Sequence, residues 1–241
     1  MPVSPDAPKS LRDPALLEAR RAMADAPHVR PLRDFAKRIS AERGADVPDP
    51  DPLDGGVEAR LLLLLETPGP SIGRTGFVSR DNATGTAANL FRFLAEAGIA
   101  RRDTLIWNAV PWVIHAPGAL NRAPRRSEAA AAAPYFAPLL VLLPRLAVVV
   151  AAGRFAQAAA APLSALRPDL PVLPIPHPSP THVCTAPSVR GRILAGLTEA
   201  AVRLAAPQGR DAGISAVLPV QGGLAGVGRP WPLTDEAPKC P

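Results

Sequence analysis

Two uninterrupted apolar runs constrain the fold of this chain more than any other feature. They are LLLLL at residues 61–65 and LAVVV at residues 146–150. Continuous apolar composition is typical of strands that helices cover on both faces, as in parallel sheets. Segments with the apolar spacing of helices alternate with these strands along the chain. We therefore predict an α/β fold with three layers, α/β/α, and a central four-stranded parallel sheet.

The predicted elements divide the chain into three parts. Residues 1–50 hold a helical segment and a linker, residues 51–205 form the α/β domain, and residues 206–241 form a tail rich in Pro and Gly that we expect to be disordered. Within the domain, the predicted strands cover residues 60–65, 104–109, 146–152 and 171–175, and the predicted helices cover residues 86–98, 127–143, 154–166 and 187–204.

Composition argues against membrane insertion and against metal sites. No segment reaches about 18 apolar residues without a charge or a proline, and the N-terminal residues lack the pattern of a signal peptide, so we expect a cytoplasmic protein. Two cysteines, Cys184 and Cys240, are too few for a disulfide framework or a four-cysteine site. His177, His182 and Cys184 form another possible set, but their spacing matches no common metal site. We predict no metal and no cofactor.

The basic residues are mostly arginine and are concentrated in one part of the chain. The net charge is +6, and residues 101–154 contain only two acidic residues, Asp103 and Glu128. Such a segment attracts a phosphate backbone, although a solvated helix face would have the same composition. The arginines of this segment are Arg101, Arg102, Arg122, Arg125, Arg126, Arg145 and Arg154.

Polar residues stand at the ends of three predicted strands. Glu66 and Thr67 follow the leucine run, Asn108 ends the second strand, and His177 follows the fourth strand in the sequence HPSP. Open parallel sheets bind ligands at the carboxyl ends of their strands. We therefore expect these side chains to meet in one crevice.

The motifs ETPGP, TGFVSRDN, WNAVPW, NR and HPSP occur in this order between residues 55 and 200. In this order they resemble the uracil-DNA glycosylase superfamily, closest to the branch whose first motif is Gly-Glu-Ala-Pro-Gly. Leu65 replaces the first glycine of that motif, and Thr67 replaces the alanine that other branches exchange for Asp or Asn. That branch commonly carries an iron-sulfur cluster on four cysteines, which this chain cannot provide.

The resemblance implies catalytic roles for two residues and base recognition by a third. Glu66 would hold or deprotonate the attacking water and stabilise the cationic sugar, and His177 would donate a hydrogen bond to uracil O2. Asn108 would pair with O4 and N3 of the base. Thr67 would lie beside the substrate, and Phe77 would stack on it. Without the resemblance, each residue has a structural interpretation. Glu66 is then a loop residue paired with an arginine, Asn108 caps a turn, Phe77 belongs to the core, and His177 is a structural histidine.

The resemblance also implies that the enzyme flips the target nucleotide and holds the flanking phosphates. Ser179 is the expected phosphate contact, and Ser71 or Thr75 is a weaker one. Arg125 and Arg126 are predicted to contact DNA.

The implied function is excision of uracil from single- or double-stranded DNA by a monomeric, monofunctional glycosylase. Lyase chemistry needs a lysine, and Lys9, Lys37 and Lys239 all lie outside the region that carries the motifs. Thr67 leaves open another base, either hypoxanthine or mismatched thymine. A catalytically silent lesion-binding protein is a further alternative, which Glu66 opposes because a carboxylate repels phosphates.

Overall fold

A computed structural model of the protein describes residues 7–116, 119 and 121–206. Its central sheet contains four parallel strands in the order β4-β2-β5-β6, which confirms the predicted fold class. A separate two-strand parallel pair, β1 with β3, was not predicted, because two residues are too short for a periodic pattern. The strands are β1 Asp49–Pro50, β2 Leu61–Leu65, β3 Phe77–Val78, β4 Thr104–Asn108, β5 Val148–Ala152 and β6 Val172–Ile175.

The α-helices are α1 Pro14–Ala22, α2 Arg30–Arg43, α3 Gly85–Glu96, α4 Arg126–Ala132, α5 Phe136–Val141, α6 Arg154–Ala159, α7 Ala161–Leu166, α8 Pro180–Val183 and α9 Pro187–Ala205. Two predictions of long helices were wrong. The span 127–143 is interrupted by a 3-10 turn that contains Pro134, and the span 154–166 is two helices with Pro162 early in the second. Proline lacks the N–H that would continue a helix through these points.

The leucine strand β2 lies between β4 and β5 and is covered on both faces. Leu61 to Leu64 are fully buried, and alternate leucines enter different hydrophobic clusters. Leu62 and Leu64 pack with residues of α2, α5 and α7, whereas Leu61 and Leu63 pack with residues of α3 and α9. This alternation follows from the two-residue period of a strand and explains why the run is apolar throughout.

The N-terminal helices belong to the same body as the sheet. Leu32, Phe35 and Ile39 of α2 are buried in the cluster that contains Leu62 and Leu64. The described residues form one compact unit, with no separation at the boundary predicted at residue 50. Apart from residue 206, the predicted tail lies outside the residues that the structure describes. Among the helices that are described, none is long and apolar enough to span a membrane.

A buried network of charges joins the N-terminal part to the sheet. The guanidinium of Arg20 lies 2.5 Å from Asp51 and 2.8 Å from Asp81, and Arg101 lies 2.7 and 2.9 Å from the same two carboxylates. Asp54 has a weaker contact with the arginines. Arg101 Nε lies 3.0 Å from Asp54 Oδ1, but the geometry is not that of a hydrogen bond. Burial raises the pKa of Asp54 to about 7, against the attraction of Arg80 and Arg101.

Replacing Arg20 with methionine tests whether this network stabilises the fold. The change leaves Asp51 and Asp81 buried with fewer cationic partners, so the free energy of unfolding should fall by about 3 to 5 kcal/mol. Urea unfolding followed by the fluorescence of the buried residues Trp107 and Trp112 measures it.

Arg21→Met is the matched control, because Arg21 lies on the same helix and pairs with Glu18 where both side chains are about half exposed or more. Exposed pairs contribute about 0 to 1 kcal/mol. Equal urea midpoints for the two variants would show that the buried network does not stabilise the fold.

Candidate active site

A cleft of about 290 Å³ opens at the carboxyl ends of β2 and β4. Glu66, Asn108 and His177 all line it, so the three strand ends that carry these residues meet as the topology requires. Thr67 and Ser71 line it as well. Further polar lining residues are Ser79, Asn82, Thr84, Thr86, Asn121 and Arg122.

The backbone around Glu66 is fixed by the neighbouring strand β4. Ala109 N donates to Leu65 O at 2.8 Å, and Val110 N donates to Glu66 O at 3.0 Å, so the pairing of the two strands continues past their ends. The Glu66 side chain makes no ion pair within the described part of the chain, which removes the alternative of a structural pair with arginine. Burial raises the pKa of its carboxyl above the ordinary value.

Gly153, which follows β5, allows Glu66 and His177 to come together. A Cβ at this position would lie 2.9 Å from Glu66 Oε1 and 3.1 Å from His177 Cβ, so no larger residue fits without displacing one of them. Its φ of 88° and ψ of 157° are also accessible essentially to glycine alone. Sequence reasoning missed Gly153, although a glycine directly after a predicted strand is a usable signal.

His177 is held in one protonation state. Its Nδ1 accepts a hydrogen bond from Ser179 N at 3.2 Å. Burial, and secondarily the neighbouring His182, lower the pKa of His177 to about 4. The imidazole is therefore neutral at pH 7, and because Nδ1 is an acceptor, the proton is on Nε2.

The loop that carries His177 is attached to helices on either side. Asn89 of α3 donates to Pro178 O at 2.9 Å, and Gln157 of α6 donates to Ile175 O at 2.9 Å. The direction of His177 is thus set by hydrogen bonds as well as by the flanking prolines.

Asn108 is in position to recognise a ligand. It is only 3% exposed, yet its side-chain amide makes no hydrogen bond with any residue that the structure describes. The residue lines the cleft, and its amide is not among the described side-chain groups that lack both solvent and a partner, so the amide can pair with a ligand that has a complementary edge. Thr67, nearby, donates from its hydroxyl to Pro68 O at 3.3 Å.

The structure places the other predicted contacts as follows. Ser179 is bonded through its hydroxyl to Thr181 at 2.9 Å and to His182 at 2.8 Å, and Thr75 is buried with its hydroxyl on Asn82 at 2.9 Å. Phe77 is 3% exposed on β3 and does not line the cleft, whereas its neighbour Val78 does. A stacking role for Phe77, and phosphate contacts for Ser71 and Ser179, stay predictions.

The arginine-rich segment is only partly available to DNA. Arg101 belongs to the buried network, Arg122 pairs with Glu128 at 2.5 Å, and Arg145 pairs with Glu58 at 3.0 Å. Arg125 and Arg126 are exposed at the start of α4 and do not line the cleft, so their contact with DNA stays a prediction.

Arg122 is a cleft residue whose role sequence reasoning did not define, although it belongs to the NR motif. Both of its terminal nitrogens bind Glu128, at 2.9 and 2.5 Å, and one also donates to Ile114 O at 3.0 Å. This contact lowers the pKa of Glu128 to about 2. Arg122 thus ties the long connection after β4 to the start of α4.

The possible metal set of His177, His182 and Cys184 is not supported. Within residues 7–116, 119 and 121–206, no group of three or more His, Cys, Asp or Glu side chains is arranged to hold a metal ion. Ser179 instead bonds to both histidines, to His177 through its N–H and to His182 through its hydroxyl, and the centroids of the two rings are 5.9 Å apart.

The fold and the cleft define an α/β protein with a carboxylate, a neutral imidazole and an unpaired amide at the carboxyl edge of a parallel sheet. The family model described as Uracil DNA glycosylase superfamily matches residues 53–192, which is more than half of the chain. The chain belongs to this superfamily, and membership suggests a DNA glycosylase. The comparison with curated proteins gave no match.

Replacing Gly153 with alanine tests the close approach of Glu66 and His177. The left-handed backbone should cost about 1 to 3 kcal/mol of unfolding free energy. The added methyl also displaces a side chain of the pair, and a misplacement of about 1 Å can cost about 10²-fold in rate. Urea unfolding and glycosylase activity of the remaining folded protein measure the two effects.

Gly191→Ala is the control, because Gly191 lies on α9 and a Cβ there would meet nothing within 4 Å. It should stabilise the protein slightly, since glycine is the poorer helix former. Full activity in folded Gly153→Ala would mean that the pair does not need this approach.

Proposed function

We propose that this protein hydrolyses the N-glycosidic bond of deoxyuridine in DNA. The observation that carries the proposal is the convergence of Glu66 and His177 on Gly153, in a cleft that also contains the unpaired amide of Asn108. A cleft at the end of a sheet cannot reach a base inside a duplex, so the nucleotide must first be flipped out.

His177 would stabilise the leaving base. As the bond between N1 and C1′ breaks, its electrons move onto the uracil ring and negative charge develops at O2. A neutral imidazole with its proton on Nε2 can donate a hydrogen bond to this oxygen and keep that proton. Fixed donors aimed at developing charge are usually the largest single contribution to such catalysis.

Glu66 would act on the sugar and on water. The deoxyribose gains oxocarbenium character as the base leaves, and the ionised carboxylate stabilises this cation. Water then forms a bond to C1′ and gives a proton to Glu66, so the first products are an abasic sugar and the uracil anion. Glu66 returns its proton to solvent, and the anion takes up a proton from solvent to give uracil. No lysine in the described part of the cleft offers a competing nucleophile.

Asn108 would select the base. Its Nδ2 can donate to uracil O4 while its Oδ1 accepts from N3–H, and cytosine presents the opposite pattern at both atoms. Because the amide is buried, a mismatched base leaves donors or acceptors unpaired, at a cost of about 1 to 3 kcal/mol for each. This position supports discrimination against normal cytosine.

Glu66→Gln removes the charge and keeps the shape. Single-turnover excision of uracil should fall by about 10²- to 10⁴-fold, while binding to uracil DNA stays equal or improves because one repulsion of phosphate is removed. The wild-type rate should decrease as pH falls through the raised pKa of Glu66, above its ordinary value of 4.5. His177, with a pKa of about 4, stays neutral over that range.

The acid limb of the pH profile should therefore vanish in Glu66→Gln. Glu96→Gln, an exposed substitution on α3, is the control and should keep both rate and profile. His177→Ala should lose rate by a similar order, because the uracil anion then lacks its donor. Wild-type excision by Glu66→Gln would exclude Glu66 from the chemistry.

Asn108→Asp tests base recognition. The carboxylate cannot donate to O4 and repels it, so uracil excision should fall by about 10-fold or more, as expected when a buried hydrogen bond is removed. Oligonucleotides that carry uracil, cytosine, hypoxanthine or a mismatched thymine, treated with alkali after incubation, measure the specificity. Unchanged uracil excision by this variant would refute the assignment of Asn108.

The same panel applied to the wild-type protein separates the possible functions. Strand cleavage at uracil supports the proposal, cleavage at hypoxanthine or thymine alone would assign another base, and the absence of cleavage at every lesion would indicate a binding protein of the same fold.

A further inference from the structure

A second groove, of about 740 Å³, lies beside the cleft. Glu66, Gly153 and His177 line it, and the first and last of these also line the cleft, so the two spaces meet at these side chains. The groove runs past the edge strand β6, where Pro174, Ile175 and Pro176 line it.

Helices from opposite faces of the sheet form the two sides of this groove. Helix α6 contributes Arg154 and Gln157. Helix α9 contributes one face, which consists of Arg192, Ala195, Gly196 and Glu199 at helical spacing. The two small residues keep the groove open, and Gly196 packs so closely on β6 that a Cβ there would lie 2.4 Å from Ile175.

The groove has an unbalanced positive charge. Arg154 and Arg192 are exposed and form no ion pair with a residue in the described part of the chain. Of the acidic residues that line the groove, Glu199 is already paired with Arg203 at 2.8 Å. Glu66 at the inner end is the remaining carboxylate. Two guanidinium groups on opposite sides of a polar groove suit an extended chain of phosphates.

We propose that this groove binds the phosphate backbone of the DNA strand beside the flipped nucleotide, with Arg154 and Arg192 as phosphate ligands. The inference rests on the proposed function, since the strand must continue from the cleft in which its base is bound. The groove leads away from Glu66 and His177, so a strand that follows it holds its C1′ near both side chains. Arg192 is far from the arginine-rich segment in sequence, and the fold alone places it here.

The test compares two groove variants, Arg154→Gln and Arg192→Gln, with the control Arg190→Gln in the full-length protein. Arg190 lies on α9 two residues before Arg192, outside the groove, and pairs with Glu96 at 2.7 Å. All three changes remove one positive charge, and in the control that charge lies outside the groove and is already paired with a carboxylate.

Binding of a fluorescein-labelled, uracil-free single strand is measured by anisotropy over a range of salt concentrations. Each groove variant should bind more weakly than the control, and its slope of log affinity against log salt should be shallower by about 0.7 for each phosphate that the variant no longer neutralises. Slopes equal to that of Arg190→Gln would overturn the proposal. That result would also be expected if the groove bound an acidic protein segment.

The strand contains no uracil, so this result does not depend on excision. Uracil excision by the wild-type protein together with unaltered slopes would refute the groove and leave the glycosylase proposal intact. Shallower slopes without excision of any base would support the groove and refute the glycosylase.

Discussion

The position of β2 between β4 and β5 is the constraint on which the rest of the structure depends. Side chains alternate between faces along a strand, so a slip of one residue would move every leucine into the opposite cluster. Here both faces are apolar, and burial alone does not fix the register. In the observed register Leu65 pairs with Asn108, and the hydrogen bonds of Leu65 O and Glu66 O continue the pairing past the strand ends. This register places Glu66 and Asn108 in the same cleft, so the strand pairing that builds the sheet also builds the site.

Carboxylates that are removed from solvent occur in two different environments in this protein, with and without arginine partners. Asp51 and Asp81 each have arginine partners within 3 Å, and the two aspartates are almost fully buried. Glu66 is partly buried and has no such partner among the described residues. An unpaired carboxylate at the margin of an apolar sheet destabilises its ionised form, which is why its pKa rises. A cation that develops on a bound sugar would provide the missing charge. The ionised carboxylate of Glu66 would then be stabilised more in the transition state than in the free protein, which lowers the barrier.

Sequence reasoning predicted the features that follow from periodicity and topology. The apolar runs predicted the parallel sheet, and the rule for strand ends brought Glu66, Asn108 and His177 into one cleft. Features that depend on three-dimensional distance were missed. A glycine directly after a predicted strand indicates a turn, but it does not indicate that the side chains that follow β2 and β6 approach Gly153 closely. Arg101 read as a surface charge because its partner Asp51 lies far away in the sequence.

The difference at Leu65 shows how a departure from a motif can be compatible with the same chemistry. Leu65 lies on the same face of β2 as Leu61 and Leu63, and it lines the cleft together with Ile106 and Leu90. These side chains give the cleft an apolar surface, against which the face of a flat base can pack without the ring of Phe77. An apolar surface also excludes water and lowers the local dielectric constant. The hydrogen bond proposed from His177 to a developing oxyanion would be stronger in such surroundings, so Leu65, at the position of a glycine in the motif that the chain resembles, is compatible with the proposed role of the imidazole.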